Sequence, residues 1–370
     1  MGFSLFRSQQ SPVLADFGSS GVKLLQVSLG ERPQALAAGW IPFTDELRAK
    51  PPEARLDHVA NELPRILKAN GFRGNRVVLA PLSQHILIKH LSLAPADGDQ
   101  AESVAAAQLA AGLGCDPAAL VVRVSKVCEA MRDGAPKLET IALAMSREDV
   151  MRYVSLFRRV RLGVVGVHSE IQALVHAFDH LHAADPSART GTMYADLGYG
   201  GTKIAICHQG KLVFAKSVPL SGRAFDARIA EVRRVPIAEV RRTRLEHGVL
   251  AAGTHAPDAD GDAIALCTGA ERVAHEAVEM LADEFCMCLR YHAALFPDWT
   301  VGRVVFLGGE ARDVGLCQAL AAALRLPAKA GDPLSRMLPI GSSPPGLPEP
   351  DRAHPDWAVV CGLANAPTDL

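Results

Sequence analysis

The sequence lacks an excess of either charge, because 39 Lys and Arg against 40 Asp and Glu leave a formal net charge of -1. A protein held to nucleic acid by its overall positive field needs surplus basic residues, so this balance argues against that class. Aromatic residues make up only 5% of the chain, and 31 Gly with 24 Pro stay near ordinary usage. Low-complexity and collagen-like chains are therefore excluded.

Segments for export or membrane insertion are also lacking. Residues 1–7 have neither the long apolar run nor the small-residue cleavage site of a signal peptide. No uncharged apolar stretch reaches the roughly 18 residues of a membrane-spanning helix. The 8 cysteines include no Cys-x-x-Cys pair, and the closest two, Cys286 and Cys288, are interpreted as buried thiols rather than zinc ligands. We therefore expect a cytoplasmic protein without direct membrane insertion.

An internal repeat is the strongest pattern that the sequence does contain. Residues 13–27 and 193–206 each place Asp-x-Gly-x-x-Gly-x-Lys between two apolar strands. A third apolar segment follows each copy, at 35–41 and at 212–218. Each half of the chain is thus predicted to begin with a three-stranded meander, and the matched pair indicates a duplicated domain.

The residue types of the repeated turn suit metal and phosphate binding. An Asp at the end of a buried strand presents a carboxylate at the sheet edge, where it can hold a divalent cation directly or through water. Glycines let backbone N–H groups cradle phosphate oxygens, and the hydroxyls of Ser19, Ser20 and Thr202 add donors. Two such turns facing each other would clamp a polyphosphate with its magnesium ion. The alternative is a pair of ordinary hairpins that use glycine for turn geometry.

A third glycine turn lies near the end of the second half. The apolar segment 301–307 is followed directly by Gly308, Gly309 and Glu310, and then by a predicted helix from Asp313 to Leu324. The apolar residues of that helix approximate helical spacing, at Val314, Leu316, Leu320 and Leu324. Such a turn allows close approach to a flat group such as adenine. It is not the fingerprint of a standard Rossmann domain, and the chain has no P-loop motif.

The three turns resemble those of the actin-like ATPase superfamily, which includes the sugar kinases and the seventy-kilodalton heat-shock chaperones. Over about residues 12–365, the chain is most similar to the PilM family of type IV pilus assembly proteins, relatives of the division protein FtsA. The resemblance implies an α/β protein with a duplicated actin-like (ribonuclease H-like) fold, two lobes around a nucleotide cleft and an extra subdomain of the FtsA and PilM type. The implied ranges are 12–88, 151–190 and 339–370 for the first lobe core, 89–150 for the small αβ subdomain, 191–226 and 301–338 for the second lobe core, and 227–300 for its insert.

The resemblance also implies ATP and Mg²⁺ as cofactors and assigns roles to individual residues. Asp16 and Asp196 correspond to the metal-binding positions, and Glu170, on the helix that links the lobes, is the candidate to orient an attacking water. Arg244 stands in for a lysine of the family's last insert, within a stretch, 238–244, that departs from the family pattern. The implied ATP-binding residues are Asp16, Gly18, Ser19, Ser20, Gly21, Lys23, Asp196, Gly198, Gly200, Gly201, Thr202, Lys203, Arg244, Gly308, Gly309 and Glu310.

The function implied by this resemblance is a cytosolic ATP-binding scaffold of a type IV pilus, or of a related type II secretion system. Its expected partner is a PilN-like inner-membrane protein, bound through the short cytosolic N-terminal peptide of that partner. Attachment to the inner membrane would then come through the partner, and self-association is left open. Hydrolysis is expected to be slow or absent, because no strong general base is evident beyond Glu170.

Two other functions fit the same superfamily. One is a sugar-type small-molecule kinase, although no unassigned Asp follows a strand end in the way such a base requires. The other is a pseudo-ATPase that keeps the fold only for partner binding. The basic runs 158–161, 233–234 and 241–244 are interpreted as solvated helix faces rather than as contacts with acidic partners.

Overall fold

The structure, a computed structural model, describes residues 10–30, 33–178, 189–247, 261–338 and 343–366. The chain divides into two compact units, Met1–Asp179 with Asp332–Leu370 and His180–Gly331. The ranges predicted for the lobes and the insert include residues outside the described part, namely 31–32, 179–188, 248–260, 339–342 and 367–370. The predicted domain boundaries stay a prediction.

The first unit contains a five-stranded sheet and a smaller three-stranded sheet. In chain order its strands are Val13–Gly18 (β1), Gly21–Val27 (β2), Ala35–Pro42 (β3), Arg76–Ala80 (β4), Leu87–Leu93 (β5), Leu120–Arg132 (β6), Ala135–Ser146 (β7) and Gly163–Val167 (β8). The larger sheet has the order β3-β2-β1-β4-β8, with an antiparallel meander of β1 to β3 and parallel pairing of β1 with β4 and of β4 with β8. The smaller sheet is antiparallel in the order β5-β7-β6.

Helices cover both sheets of the first unit. They are Asp45–Ala49 (α1), Pro52–Ala69 (α2), Ala101–Leu113 (α3), Arg147–Arg159 (α4) and Glu170–His176 (α5). The core of the larger sheet includes Val13, Ala15 and Phe17 of β1, and the Phe17 ring meets Tyr153 of α4 edge-on at 4.9 Å between centroids. Since side chains alternate along a strand, anchoring Phe17 in this core turns Asp16 to the opposite face of the sheet.

The second unit repeats the topology of the larger sheet. Its strands are Thr190–Leu197 (β9), Thr202–His208 (β10), Lys211–Val218 (β11), Thr300–Leu307 (β12) and Ala328–Ala330 (β13). The order β11-β10-β9-β12-β13 again has an antiparallel meander followed by two parallel additions. Both meanders were predicted from the repeated Asp-x-Gly turn, and the shared strand order confirms the predicted duplication.

The second unit has four described helices, and the last described helix of the chain returns to the first unit. They are Gly222–Arg233 (α6), Ile237–His247 (α7), Gly261–Leu295 (α8), Val314–Leu324 (α9) and Ala358–Gly362 (α10). In the first unit, α10 approaches α5 so closely that a Cβ on Gly362 would overlap the carbonyl of Ala173. Among the described residues, no helix combines the length and the apolar character that crossing a bilayer would require.

A group of four rings, of which His208 and His292 are buried, lies at one end of the second sheet. His208, the last residue of β10, stacks on Trp299 with 4.0 Å between centroids, and its Nε2 lies 2.6 Å from Nε2 of His292. Phe296 meets the His208 ring edge-on. Burial, and then the neighbouring His292, lower the pKa of His208 to about 4, and burial lowers the pKa of His292 as well. Both rings are therefore neutral in the folded protein near neutral pH.

We expect the thermal unfolding midpoint to fall as the pH drops from about 6.5 towards about 4. In that window the unfolded chain binds a proton at His208 that the folded chain does not, so acid favours unfolding. His208→Gln should flatten this part of the pH profile, whereas His275→Gln, at an exposed position of α8, should not. Calorimetric scans across this pH range measure both slopes, and a His208→Gln slope equal to that of the wild type would contradict the assignment.

Candidate functional site

The first Asp-x-Gly turn joins β1 to β2. Asp16 is buried near the end of β1 and pairs in register with Lys23, while Gly18 pairs with Gly21. Ser19 and Ser20 therefore form a two-residue hairpin loop. A Cβ on Gly21 would lie 2.5 Å from the carbonyl oxygen of Ile41 and 2.6 Å from Nε1 of Trp40, so only glycine fits there.

The lysine of this first turn is bound by the C-terminal segment. Lys23 Nζ lies 3.7 Å from Oδ2 of Asp356, and both side chains are largely buried. Next to them, burial raises the pKa of the Cys361 thiol, and the carboxylates of Asp332, Asp356 and Asp16 raise it further. Three carboxylates and one ammonium group thus act on this part of the first unit, which makes it locally acidic.

The second turn has the same strands but a different ion pair. Lys203 Nζ lies 3.1 Å from Oδ2 of its own strand partner Asp196. The N–H of Gly198 donates to the carbonyl of Gly201 and closes the turn. The Thr202 hydroxyl, predicted as a phosphate donor, donates to the carbonyl of Leu220 at 2.7 Å. The two copies of the motif therefore differ in the group that binds their lysine.

The N-terminus of helix α6 is hydrogen-bonded to carbonyl groups of the second turn. Ser221 caps this helix and accepts a hydrogen bond from the N–H of Ala224. The N–H groups of Gly222 and Arg223 donate to the carbonyls of Gly198 and Tyr199. N–H groups at the start of a helix have no partner within the helix. Here the second Asp-x-Gly turn supplies those partners, so hydrogen bonds join the turn directly to the start of α6.

The Gly-Gly turn meets the second Asp-x-Gly turn at the sheet edge. Gly308 has φ +84°, and a Cβ there would lie 2.5 Å from Oδ1 of Asp196 and would overlap the carbonyl of Leu197. Leu307 pairs with Asp196 in the parallel register of β12 and β9. Sequence reasoning predicted both turns as parts of one nucleotide site, and within this unit the fold brings them into contact.

Arg244 and Glu310, both predicted to bind ATP, are bound to each other in a buried network. The Arg244 guanidinium donates to Oδ1 of Asp226 at 2.6 Å, to Oδ2 of Asp226 at 3.2 Å and, through Nη1, to Oε2 of Glu310. Burial alone would lower the pKa of Arg244, but the Glu310 and Asp226 carboxylates outweigh it and raise the pKa. The guanidinium is therefore a permanent cation that connects α6, α7 and the Gly-Gly turn.

A cavity of about 240 Å³ opens beside this network. Two exposed aliphatic side chains, Leu245 and Val314, are 57% and 65% accessible and lie among its lining residues. Of the apolar residues at helical spacing in α9, Leu316, Leu320 and Leu324 form the buried face. The cavity is lined by Arg244, Leu245, Glu246, His247, Gly309, Glu310, Arg312, Asp313, Val314 and Gly315.

The interpretation of residues 241–244 as a solvated helix face was wrong for two of its arginines. Arg244 is 2% exposed, and Arg241 places its guanidinium carbon 4.1 Å from the ring centroid of Tyr199 in the second turn. Arg242 alone fits the solvated interpretation, because it is exposed. The helical spacing of 241 and 244 puts both arginines on the same side of α7, with Arg244 buried and Arg241 partly exposed.

Glu170, the candidate to orient water, is the first residue of α5 in the first unit. It is 4% exposed, and Ser169 caps the helix by accepting from the N–H of Gln172. Within the described ranges, no group of three or more His, Cys, Asp or Glu side chains could hold a metal ion. The single carboxylates of Asp16 and Asp196 fit Mg²⁺ all the same, because that ion keeps several waters and takes one or two carboxylates plus phosphate oxygens.

No protein-family model and no curated protein sequence matches the chain. Among solved structures, it resembles the PilM-PilN type IV pilus biogenesis complex with a TM-score of 0.75 and 17% identity, over 97% of this chain and 98% of that one. It resembles MreB 5 of Spiroplasma citri bound to AMPPNP with a TM-score of 0.51 and 12% identity, over 97% of this chain and 96% of that one. It resembles the ethanolamine utilization protein EutJ from Carboxydothermus hydrogenoformans with a TM-score of 0.50 and 12% identity, over 98% of this chain and 91% of that one.

These likenesses confirm the predicted actin-like fold. The duplicated sheet, the Asp-x-Gly turn in each copy and the Gly-Gly turn occur in the order that the sequence predicted. The resemblance to PilM, predicted from the turns, is confirmed as a resemblance of fold across nearly the whole chain.

Proposed function

We propose that this chain is an actin-like ATP-binding scaffold of a type IV pilus, or of a related type II secretion system. The observation that best supports the proposal is the pair of Asp-x-Gly turns, which occupy equivalent hairpins of two sheets with the same strand order. The fold similarity to the PilM-PilN complex supports the choice of the PilM branch of the superfamily.

In this proposal, different residues of the chain bind the phosphates and the metal of the nucleotide. Backbone N–H groups of the two turns, other than that of Gly198, which closes its own turn, are directed to phosphate oxygens. Asp16 and Asp196 hold the metal, which when bound neutralises phosphate charge. The remaining proposed ATP-binding residues are Gly18, Ser19, Ser20, Gly21, Lys23, Gly198, Gly200, Gly201, Thr202, Lys203, Gly309 and Glu310. The structure of the Spiroplasma citri protein with AMPPNP supports nucleotide binding on this fold.

The base is proposed to enter the cavity beside the Gly-Gly turn. The cavity has a volume of about 240 Å³. Pockets for whole drug-sized ligands measure roughly 300–1,000 Å³, so this cavity suits one part of a nucleotide. Leu245 and Val314 offer apolar contacts for a flat ring, and Gly309, which lines the cavity, permits close approach. Gly308 lets the Gly-Gly turn lie against the second Asp-x-Gly turn. Arg244 is proposed to act by positioning, since its guanidinium holds Glu310 and Asp226 in place.

Hydrolysis, if it occurs, is proposed to be slow. Glu170, buried in the first turn of α5, is the proposed residue for orienting water. Nucleotide would then act mainly by changing the conformation that binds the partner.

The proposed partner is a PilN-like inner-membrane protein, bound through its cytosolic N-terminal peptide. The solved complex of PilM with PilN supports this choice. A net charge of -1 disfavours electrostatic attachment to acidic lipid. We therefore propose that the protein is cytoplasmic and reaches the inner membrane through this partner.

Calorimetry with ATP and Mg²⁺ tests the nucleotide part of the proposal. We expect saturable binding to the wild type that the double substitution Asp16→Ala with Asp196→Ala abolishes. A fluorescent synthetic peptide, copied from the cytosolic N-terminus of the organism's PilN-like protein, tests the partner. Its affinity should change by at least about fivefold when nucleotide is added, as expected for coupled sites.

The possible failures point to different conclusions. If the wild type binds the peptide but no nucleotide, the chain is a pseudo-ATPase scaffold and the ATP part is wrong. If nucleotide binds and the peptide does not, the pilus assignment is wrong. Asp283→Ala is the control for the double substitution, because this aspartate is exposed on α8.

A further inference from the structure

The second phosphate turn is in contact with a cation that the proposed site does not use. The guanidinium carbon of Arg241, on α7, lies 4.1 Å from the centroid of the Tyr199 ring. Tyr199 follows Gly198 inside the turn, is only 9% exposed, and its carbonyl is bound by the N–H of Arg223. A guanidinium over an aromatic face at this distance is a favourable cation–π contact that orients the charge.

The charges already present around this turn leave a role for such a cation. Lys203 lies 3.1 Å from Asp196, and its positive charge is therefore largely balanced before any anion arrives. The Arg244 guanidinium is bound by the carboxylates of Asp226 and Glu310. A polyphosphate bound at this turn needs positive charge beyond these two pairs, because burying an anion without compensation is costly.

The order of residues along α7 is consistent with that role. The last turn of this helix, 244–247, lines the cavity proposed for the base. Arg241 lies one helical turn earlier, on the side that faces Tyr199. From the cavity to the phosphate turn, α7 thus presents first Leu245 and Arg244 and then Arg241, which is the sequence in which a nucleotide would extend from its base to its phosphates.

We propose that Arg241 is a phosphate-binding residue of the nucleotide site and that the Tyr199 ring positions its guanidinium over the second turn. This inference rests on the proposed ATP-binding function and adds a residue that links the insert helix to the phosphates. Tyr199 is a positioning residue, since it acts through Arg241.

The test compares nucleotide affinities of variants of the full chain by calorimetry. Arg241→Ala should weaken ATP and ADP binding about 10-fold, the value of a hydrogen bond to a charged group. Adenosine binding, measured by competition with a fluorescent nucleotide, should stay unchanged, and Arg241→Lys should recover part of the loss. Arg242→Ala, at the neighbouring exposed position, is the control. Tyr199→Leu should cost more affinity for ATP than Tyr199→Phe, which keeps a ring.

Each failure has its own meaning. If wild-type protein binds ATP and Arg241→Ala behaves like Arg242→Ala, the role of Arg241 is overturned and the proposed function stands. If Arg241→Ala weakens adenosine as much as ATP, Arg241 only holds α7 in place and the inference is overturned. If the wild type binds no ATP, both the inference and the nucleotide part of the proposed function are wrong.

Discussion

Arg244→Ala should lower the stability of the second unit by about 3–5 kcal/mol, the usual cost of removing one partner from a buried ion pair. At about 2–4 °C per kcal/mol for a unit of this size, the thermal midpoint should fall by about 10 °C. The substitution leaves the Asp226 and Glu310 carboxylates, 0% and 5% exposed as residues, without the guanidinium that neutralises them.

Further substitutions separate charge from lost packing. If unpaired charge causes the loss, adding Asp226→Asn and Glu310→Gln to Arg244→Ala should recover a large part of the midpoint, since buried charge costs more than a buried neutral amide. Arg242→Ala should change the free energy of unfolding by no more than a typical surface substitution does, about 0.5 kcal/mol. Equal midpoints for Arg244→Ala and Arg242→Ala would mean that the network does not contribute to stability.

The three-stranded meanders that begin the two large sheets could be predicted from the sequence because the strand ends are marked locally. Asp16 and Asp196 end buried strands, and the glycines two and five residues later define hairpins that need no distant information. The Gly-Gly turn after β12 has the same local character. Each of these features depends on neighbours in sequence, and each was predicted with its strand.

The ionic contacts of the site could not be predicted in the same way. Arg244 is bound by Asp226, 18 residues away, and by Glu310, 66 residues away. In the sequence, its run of arginines resembles any solvated helix face, and only the fold brings the carboxylates to it. Tyr199 and Arg241 were missed for the same reason, because a ring inside a glycine turn gives no indication of which helix will cover it.

The repeat pattern also did not predict that the two lysines have different partners. The motif is nearly identical in both copies, yet Lys203 binds its own Asp196 and Lys23 binds Asp356 of the C-terminal segment. A repeat predicts equivalent backbone geometry, whereas side-chain pairing depends on what each unit adds around the turn. The two aspartates therefore have different electrostatic surroundings, and their roles need not be equal.

Asp16→Asn should consequently weaken Mg²⁺-dependent ATP binding far more than Asp196→Asn. We expect a loss of about 10–100-fold for Asp16→Asn, in the range found when a group that supports a bound metal is removed. Asp196 pairs with Lys203 at 3.1 Å, so removing its charge also removes a contact that holds this ammonium group away from the phosphates. The two effects oppose each other, and the net loss for Asp196→Asn should be about threefold or less, roughly 0.6 kcal/mol.

Calorimetric titration with ATP in Mg²⁺, and again in EDTA, measures both variants against the wild type. In EDTA, Asp196→Asn should bind ATP at least as tightly as the wild type, because neither protein then holds a metal and the attraction of Lys203 to the Asp196 charge is removed. Asp356→Asn extends the comparison to the first turn, where it should free Lys23 in the same way and strengthen metal-free binding. Equal losses for Asp16→Asn and Asp196→Asn in Mg²⁺ would show that the turns act symmetrically, and the ion pairs would then have no influence on how the metal is held.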